Sequence, residues 1–220
     1  MDFPFEFYFI ALSVITGFWM LLRNQVVPYT RLFPYFLLVT MAVEITAWIL
    51  YKRNVPNVAL YNFLSTGAFV FYMDLIRRVV FSQTAKKMIF LVSLGYLIVA
   101  MTNILFIQTM HTFHTITFSV GCFLVVVTSM YYFFQLFQLP KSINLAREPA
   151  FWIVSGLLFY YLCTLPIIGA LNYLYTLPGV SPGSLEQITT ILNVLLYSLF
   201  TISFLCPVSF RRSMLSSSSV

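Results

Sequence analysis

Seven apolar stretches, each close to the length needed to cross a lipid bilayer, run through this 220-residue chain and leave it few other ways to fold. A hydrocarbon core about 30 Å thick takes about 20 residues of helix at a rise of about 1.5 Å per residue. The stretches cover residues 5–22, 32–51, 58–76, 88–107, 113–136, 150–174 and 188–206. Inside lipid no water bonds to free backbone N–H and C=O groups, so only helices and closed barrels can span it. A barrel would show weaker segments of about ten residues with alternating polarity, and that pattern is absent. The sequence therefore predicts an all-α, polytopic transmembrane helix bundle of about seven spans. Residues 1–210 form its single domain, and 211–220 form a short tail expected to be disordered.

Composition points the same way. The chain is 8% charged, whereas a soluble domain carries about 25%. So few charges cannot coat a globule of this size, so lipid must be the principal solvent and partner. The net charge of +6 then reads as membrane topology and not as a nucleic-acid footprint. Cys122, Cys163 and Cys206 all lie in apolar runs, where cysteine behaves as a small hydrophobe, and an odd number of them makes no disulfide framework. The first stretch lacks a basic leader and carries Asp2 and Glu6, so it is expected to be a retained helix and not a cleaved signal.

Basic residues orient the bundle. With the N-terminus outside, the inner loops and tail hold Arg23, Arg31, Arg77, Arg78, Lys86, Lys87, Lys141, Arg147, Arg211 and Arg212, and the outer loops hold only Lys52 and Arg53. Short loops rich in Lys and Arg stay in the cytoplasm, which predicts an outside N-terminus and a cytoplasmic C-terminus. Pro28, Pro56, Pro140, Pro149, Pro178 and Pro182 fall between the stretches. Asn57 is a candidate cap for the third helix, and Ser184 with Gln187 resembles a capping box for the seventh.

Polar groups inside the spans are costly, so each needs a reason. Glu44 lies about 10 Å from the outer end of the second span and must be paired, protonated or wetted; it is expected to face the bundle interior. It is the first candidate for a ligand or proton site. Asn62 and Asn193 are deep enough to need partners and complete a conjectured cluster with it; the plainer role for such amides is to tie helices together. Asp74 has Arg77 and Arg78 at i+3 and i+4, the spacing of a local ion pair. His111 and His114 share a helix face, but two ligands without a cysteine or carboxylate make a poor metal site, so no metal is expected. Pro166 breaks the hydrogen-bond ladder of the sixth helix and is the candidate hinge, although a fixed kink serves equally. Ser13 and Gly17 form a small-xxx-small face suited to close packing. Trp48, Trp152, Tyr51, Tyr29, Tyr173 and Tyr175 cluster toward segment ends, as an interfacial belt does.

Several chemistries lack their residues. Gly179, Ser181 and Gly183 fit the letters of a hydrolase elbow, but in a proline-rich loop and without its strand–turn–helix setting. No pair of catalytic groups stands at a credible spacing, so no enzyme is predicted. No lysine falls inside any predicted span, which removes the attachment point for a retinal cofactor, and no cofactor is expected. The proline–glutamine signature of seven-helix sugar transporters is missing too.

The segments Tyr61-Asn62-Phe63, Glu148-Pro149-Ala150-Phe151-Trp152-Ile153, Gly156-Leu157-Leu158-Phe159-Tyr160 and Ile191-Leu192-Asn193-Val194-Leu195-Leu196-Tyr197 form a pattern that resembles the small, uncharacterised seven-helix membrane proteins common in Bacteroidota. The resemblance spans nearly the whole chain. It implies a Glu in the second helix, where Glu44 stands, and an acidic residue in the third near Ala68, where this chain departs. It also implies a bacterial inner membrane as the site, and no activity. The expectation from the residues is a sensor-like or accessory membrane subunit acting through a membrane or cytoplasmic signalling partner at the basic face around Arg77, Arg78, Lys86 and Lys87. The alternative is a small proton- or cation-coupled transporter using Glu44.

Overall fold

The structure, a computed structural model, describes residues 4–23, 25–107, 112–138, 145–169 and 182–206. Among the described residues there are seven α-helices: α1 (Glu6–Leu22), α2 (Phe33–Lys52), α3 (Val58–Val79), α4 (Gln83–Thr102), α5 (Thr115–Phe137), α6 (Pro149–Gly169) and α7 (Pro182–Leu205). The described residues contain no strand. α2 to α7 are each long and apolar enough to cross a membrane. α1, at 17 residues, reaches about 26 Å and falls just short of that length.

The exposed surface identifies the solvent. α4 turns Phe90, Leu91, Leu94, Ile98 and Val99 outward, with Ile98 60% exposed. α5 does the same with Phe123, Met130 and Phe134. A soluble protein would not leave contiguous apolar faces of this size uncovered; acyl chains cover them at no cost. The protein is an integral membrane helical bundle.

Neighbours in the bundle are not simply neighbours in sequence. α1 packs between α2 and α7, α6 packs between α7 and α5, and α3 packs on α5 and, more lightly, on α2. These six close a ring, and α4 leans on the outside of α3. Without a hydrophobic force between helices in lipid, close packing and hydrogen bonds must hold the ring. The Ser13–Gly17 face supplies both. Ser13 Oγ donates to the Tyr197 carbonyl at 2.7 Å and lies 2.8 Å from Thr201 Oγ1, tying α1 to α7. A Cβ at Gly17 would meet Pro34 Cγ at 2.9 Å, so only glycine lets α2 come so near.

Aromatic rings fill the middle of the ring of helices. Phe33 of α2 meets Phe200 of α7 at 4.8 Å and Phe71 of α3 at 5.9 Å. Tyr72 meets Phe200 at 6.3 Å and Tyr161 of α6 at 6.1 Å. Phe69 meets Tyr161, Phe118 of α5 and Tyr96 of α4. Edge-to-face and tilted rings at 4.5–7 Å attract beyond simple area burial. One connected aromatic network therefore joins six helices and runs through the bundle interior from Phe33, at the start of α2, to Phe118, near the start of α5.

Several sequence expectations shift. α4 begins at Gln83, not 88, because Ser82 caps it by accepting the Ala85 amide. Lys86 and Lys87 thus lie within its first turns, and Lys52 ends α2, correcting the expectation that no helix contains a lysine; all three sit at helix ends. Asn57 stands at the N-cap of α3 without a side-chain capping bond; its Nδ2 donates to Ala47 O on α2 at 3.1 Å. α7 begins at Pro182, so Ser184 lies inside the helix and not at its cap. α6 continues through Pro166, which is exposed, to Gly169. The 211–220 tail, Lys141, His111, Asn172, Tyr173, Tyr175, Gly179 and Ser181 lie outside the described residues.

Candidate functional site

Residues 27–29, 80–81 and 147–148, from three of the connections between helices, meet at one end of the bundle. This end is the basic face. Asp74 accepts from Arg77 Nε and Nη2 at 2.9 and 2.6 Å and from Arg78 Nε at 2.7 Å, the local ion pair that its i+3 and i+4 spacing predicts. Arg23 stacks over Trp19 at 4.3 Å, anchoring α1 at the same level. At the opposite end Lys52 lies 5.6 Å from the Trp48 ring.

Glu44 faces the interior, as its charge requires. Tyr61 on α3 donates its hydroxyl to Glu44 Oε2 at 3.1 Å. Glu6 on α1, Tyr160 on α6 and Tyr197 on α7 all stand within electrostatic range of it. The one side-chain bond at this position joins α2 to α3, in the half of the bundle away from the basic face. Glu6 is the residue that sequence reading missed. The resemblance pointed to Ala68 for a second acid, but Ala68 is buried in the apolar core, and the second carboxyl comes from α1.

The other members of the conjectured cluster do not join it. Asn62 donates to the Thr112 carbonyl at 2.9 Å and accepts the His114 amide at 3.1 Å. It therefore latches the start of α5 onto α3, satisfying a carbonyl and an amide that precede the helix. A short π-helical run, Asn103–Ile107, follows α4. Asn193 is half-buried on α7 and bonds to neither Glu44 nor Asn62. His114 is buried and caps α5 by position. Among the described residues no three of His, Cys, Asp and Glu gather as metal ligands would.

Replacing Glu44 with leucine is expected to leave the protein inserted and monodisperse in mild detergent. It removes a single helix–helix hydrogen bond, worth about 1 kcal/mol in a membrane. Thermal melting of the purified variant checks this; collapse to aggregate would make Glu44 an essential helix tie.

A second polar site lies at the basic face. Tyr29, in the short turn Pro28–Thr30, donates its hydroxyl to Glu148 Oε1 at 2.9 Å. Glu148 immediately precedes Pro149, the first residue of α6, where a carboxylate suits the positive end of the helix. The turn before it is pinned twice at Ala146 O, by Trp152 Nε1 at 3.0 Å and by Cys206 Sγ at 3.2 Å. Burial pushes the Glu148 carboxyl above its ordinary value of 4.5, and the bonds from Tyr29 and the Ala150 amide only partly offset it. A raised acid favours the folded state while protonated. Its contribution is complete below about 4.5 and is lost as pH rises through the folded value. Glu148→Gln keeps an acceptor for Tyr29 and cannot ionise. Its melting temperature should equal or exceed the parent's at pH 8, with the gap closing toward pH 4.

With both ends of the bundle described, comparison adds no relative: no family model, curated protein or solved structure matches this chain.

Proposed function

We propose that this chain is a non-catalytic subunit of a bacterial inner membrane, of the sensor or accessory kind, with its N-terminus outside and its basic face in the cytoplasm. Its output passes through a protein partner at that face. The observation that carries this reading is the packed aromatic network in the bundle interior, which lies between the Glu44–Tyr61 site and the basic face. A group bound near Glu44 can bias how the helices pack without itself passing through. The loops described between the helices are too short to house an output enzyme, so a partner must read the change. The resemblance to small seven-helix proteins of Bacteroidota supports the bacterial setting.

One observation favours a second reading, proton- or cation-coupled transport: two carboxyls, Glu6 and Glu44, stand within range of each other at one end. Transport would require the Phe33, Tyr72, Tyr161 and Phe200 rings to part. Carriers also tend to place matching broken helices in two repeats, and α2 has no interior proline to match Pro166 of α6.

Two measurements separate the readings. Proteoliposomes under a pH or potassium gradient should show no flux above empty vesicles. A photo-crosslinker at Lys87 in host membranes should give one discrete protein adduct, absent when the crosslinker sits at lipid-facing Ile98. A gradient-driven flux that disappears in Glu44→Gln would overturn the sensor reading and establish the carrier.

A further inference from the structure

A cavity of about 540 Å³ opens at the basic face, formed where the α1–α2 connection, the α3–α4 turn, α5 and the start of α6 meet. The volume is typical of small-ligand sites, about 300–1,000 Å³. Gln135 of α5 fixes one wall by accepting the Phe81 amide at 2.9 Å, and the Tyr29–Glu148 bond fixes another.

The lining is of two kinds. Val79, Val80, Leu136 and Ala150 present apolar surface, and Arg78, Lys86 and Arg147 present cations. Among the described residues Asp74 partners Arg77 and Arg78, while Lys86 and Arg147 pair with no carboxylate. Glu148 is the one acid in the lining, and it is engaged by Tyr29. The cavity stays net positive even with Glu148 ionised.

Its height matters as much as its charge. It lies at the end of α3, the last turns of α5 and the start of α6, at the end of the bundle where Arg23 stacks on Trp19. Basic pockets between transmembrane helices at that level suit anionic head groups.

We propose that this cavity binds a membrane lipid with an anionic phosphate headgroup. The phosphate lies among Arg78, Lys86 and Arg147, and the glycerol and first acyl carbons lie along Val79, Val80 and Leu136. A free phosphate would leave the apolar wall wet. An acidic peptide would bring more charge than three cations match and little to cover the valines. The inference goes beyond the partner reading and requires only that the basic face lie at a membrane surface.

Native mass spectrometry of the purified full chain in detergent tests it, titrating dioleoyl phosphatidic acid, dioleoylglycerol, inorganic phosphate and a Glu-rich peptide. Phosphatidic acid should be retained and dioleoylglycerol should not, and inorganic phosphate should fail to displace the lipid at equal concentration. Arg78→Gln, Lys86→Gln and Arg147→Gln should each weaken retention roughly fivefold, the contribution of one surface cation to anionic-lipid binding. Lys86→Gln with Arg147→Gln should weaken it roughly thirtyfold. Lys87→Gln and Arg53→Gln, which lie off the cavity, should change nothing. All five side chains reach the surface, and unchanged melting confirms that the variants fold. Equal retention of dioleoylglycerol, insensitivity to the three lining substitutions, displacement by phosphate alone, or preference for the peptide would each overturn the proposal. The measurement uses the isolated protein, so it stands or falls separately from the Lys87 crosslink.

Discussion

Phe33→Ala should cost the folded bundle about 3 kcal/mol and lower its melting temperature in detergent by about 10 °C. Phe33 is fully buried and touches Phe71, Phe200 and Phe204 from two other helices. Truncating it leaves a void at the point where α2, α3 and α7 meet. The value falls at the lower end for a phenylalanine because lipid or detergent also solvates the ring in the unfolded state. What is lost is packing and the aromatic geometry, not transfer from water. Phe134→Ala supplies the comparison: Phe134 is 59% exposed on a lipid-facing surface, and its removal should cost under about 1 kcal/mol. Equal effects at the two positions would mean that the rings around Phe33 are not packed as described.

Gly121→Ala should be nearly as damaging, at about 2–3 kcal/mol, and Gly121→Leu should prevent accumulation of folded protein. A Cβ at Gly121 would lie 2.6 Å from Cγ and Cε2 of Phe69. Phe69 cannot swing away, since its ring is fully buried against Tyr96, Phe118 and Tyr161. α3 and α5 would have to separate. Gly67 and Gly95 have open space where a Cβ would go, so alanine there should stabilise its helix by about 0.5–1 kcal/mol. Opposite signs for chemically identical substitutions, read by thermal melting, isolate close helix approach from helix propensity.

How much of this was legible in one sequence follows from what hydropathy encodes. Spans read well because a 20-residue apolar run has one meaning in a membrane. Asp74 with its two arginines read well because the contact is local. Helix order around the ring did not, because lipid-facing and core-facing residues are both apolar and the amphipathic stripe that orients a soluble helix disappears. α4 starts five residues before its apolar run, because Ser82 caps it ahead of Lys86 and Lys87 and hydropathy carries no signal for a cap. Glu44 was found because a carboxyl is conspicuous in an apolar run; Glu6, at a helix end, was not. Asn62 looked like a partner for Glu44, but its amide serves the backbone of a segment 50 residues away. The Tyr29–Glu148 bond joins residues 119 positions apart, and nothing in either neighbourhood announces it.

The account rests on helices that cross a bilayer and place the basic loops on one side of it. Single cysteines at Arg53, Lys87 and Ile98, in a chain whose native cysteines are replaced by alanine, can be challenged with a membrane-impermeant maleimide in intact and permeabilised cells. Arg53→Cys should react in intact cells, Lys87→Cys only after permeabilisation, and Ile98→Cys in neither. Labelling of Arg53→Cys and Lys87→Cys from the same side, or of Ile98→Cys without detergent, would contradict it.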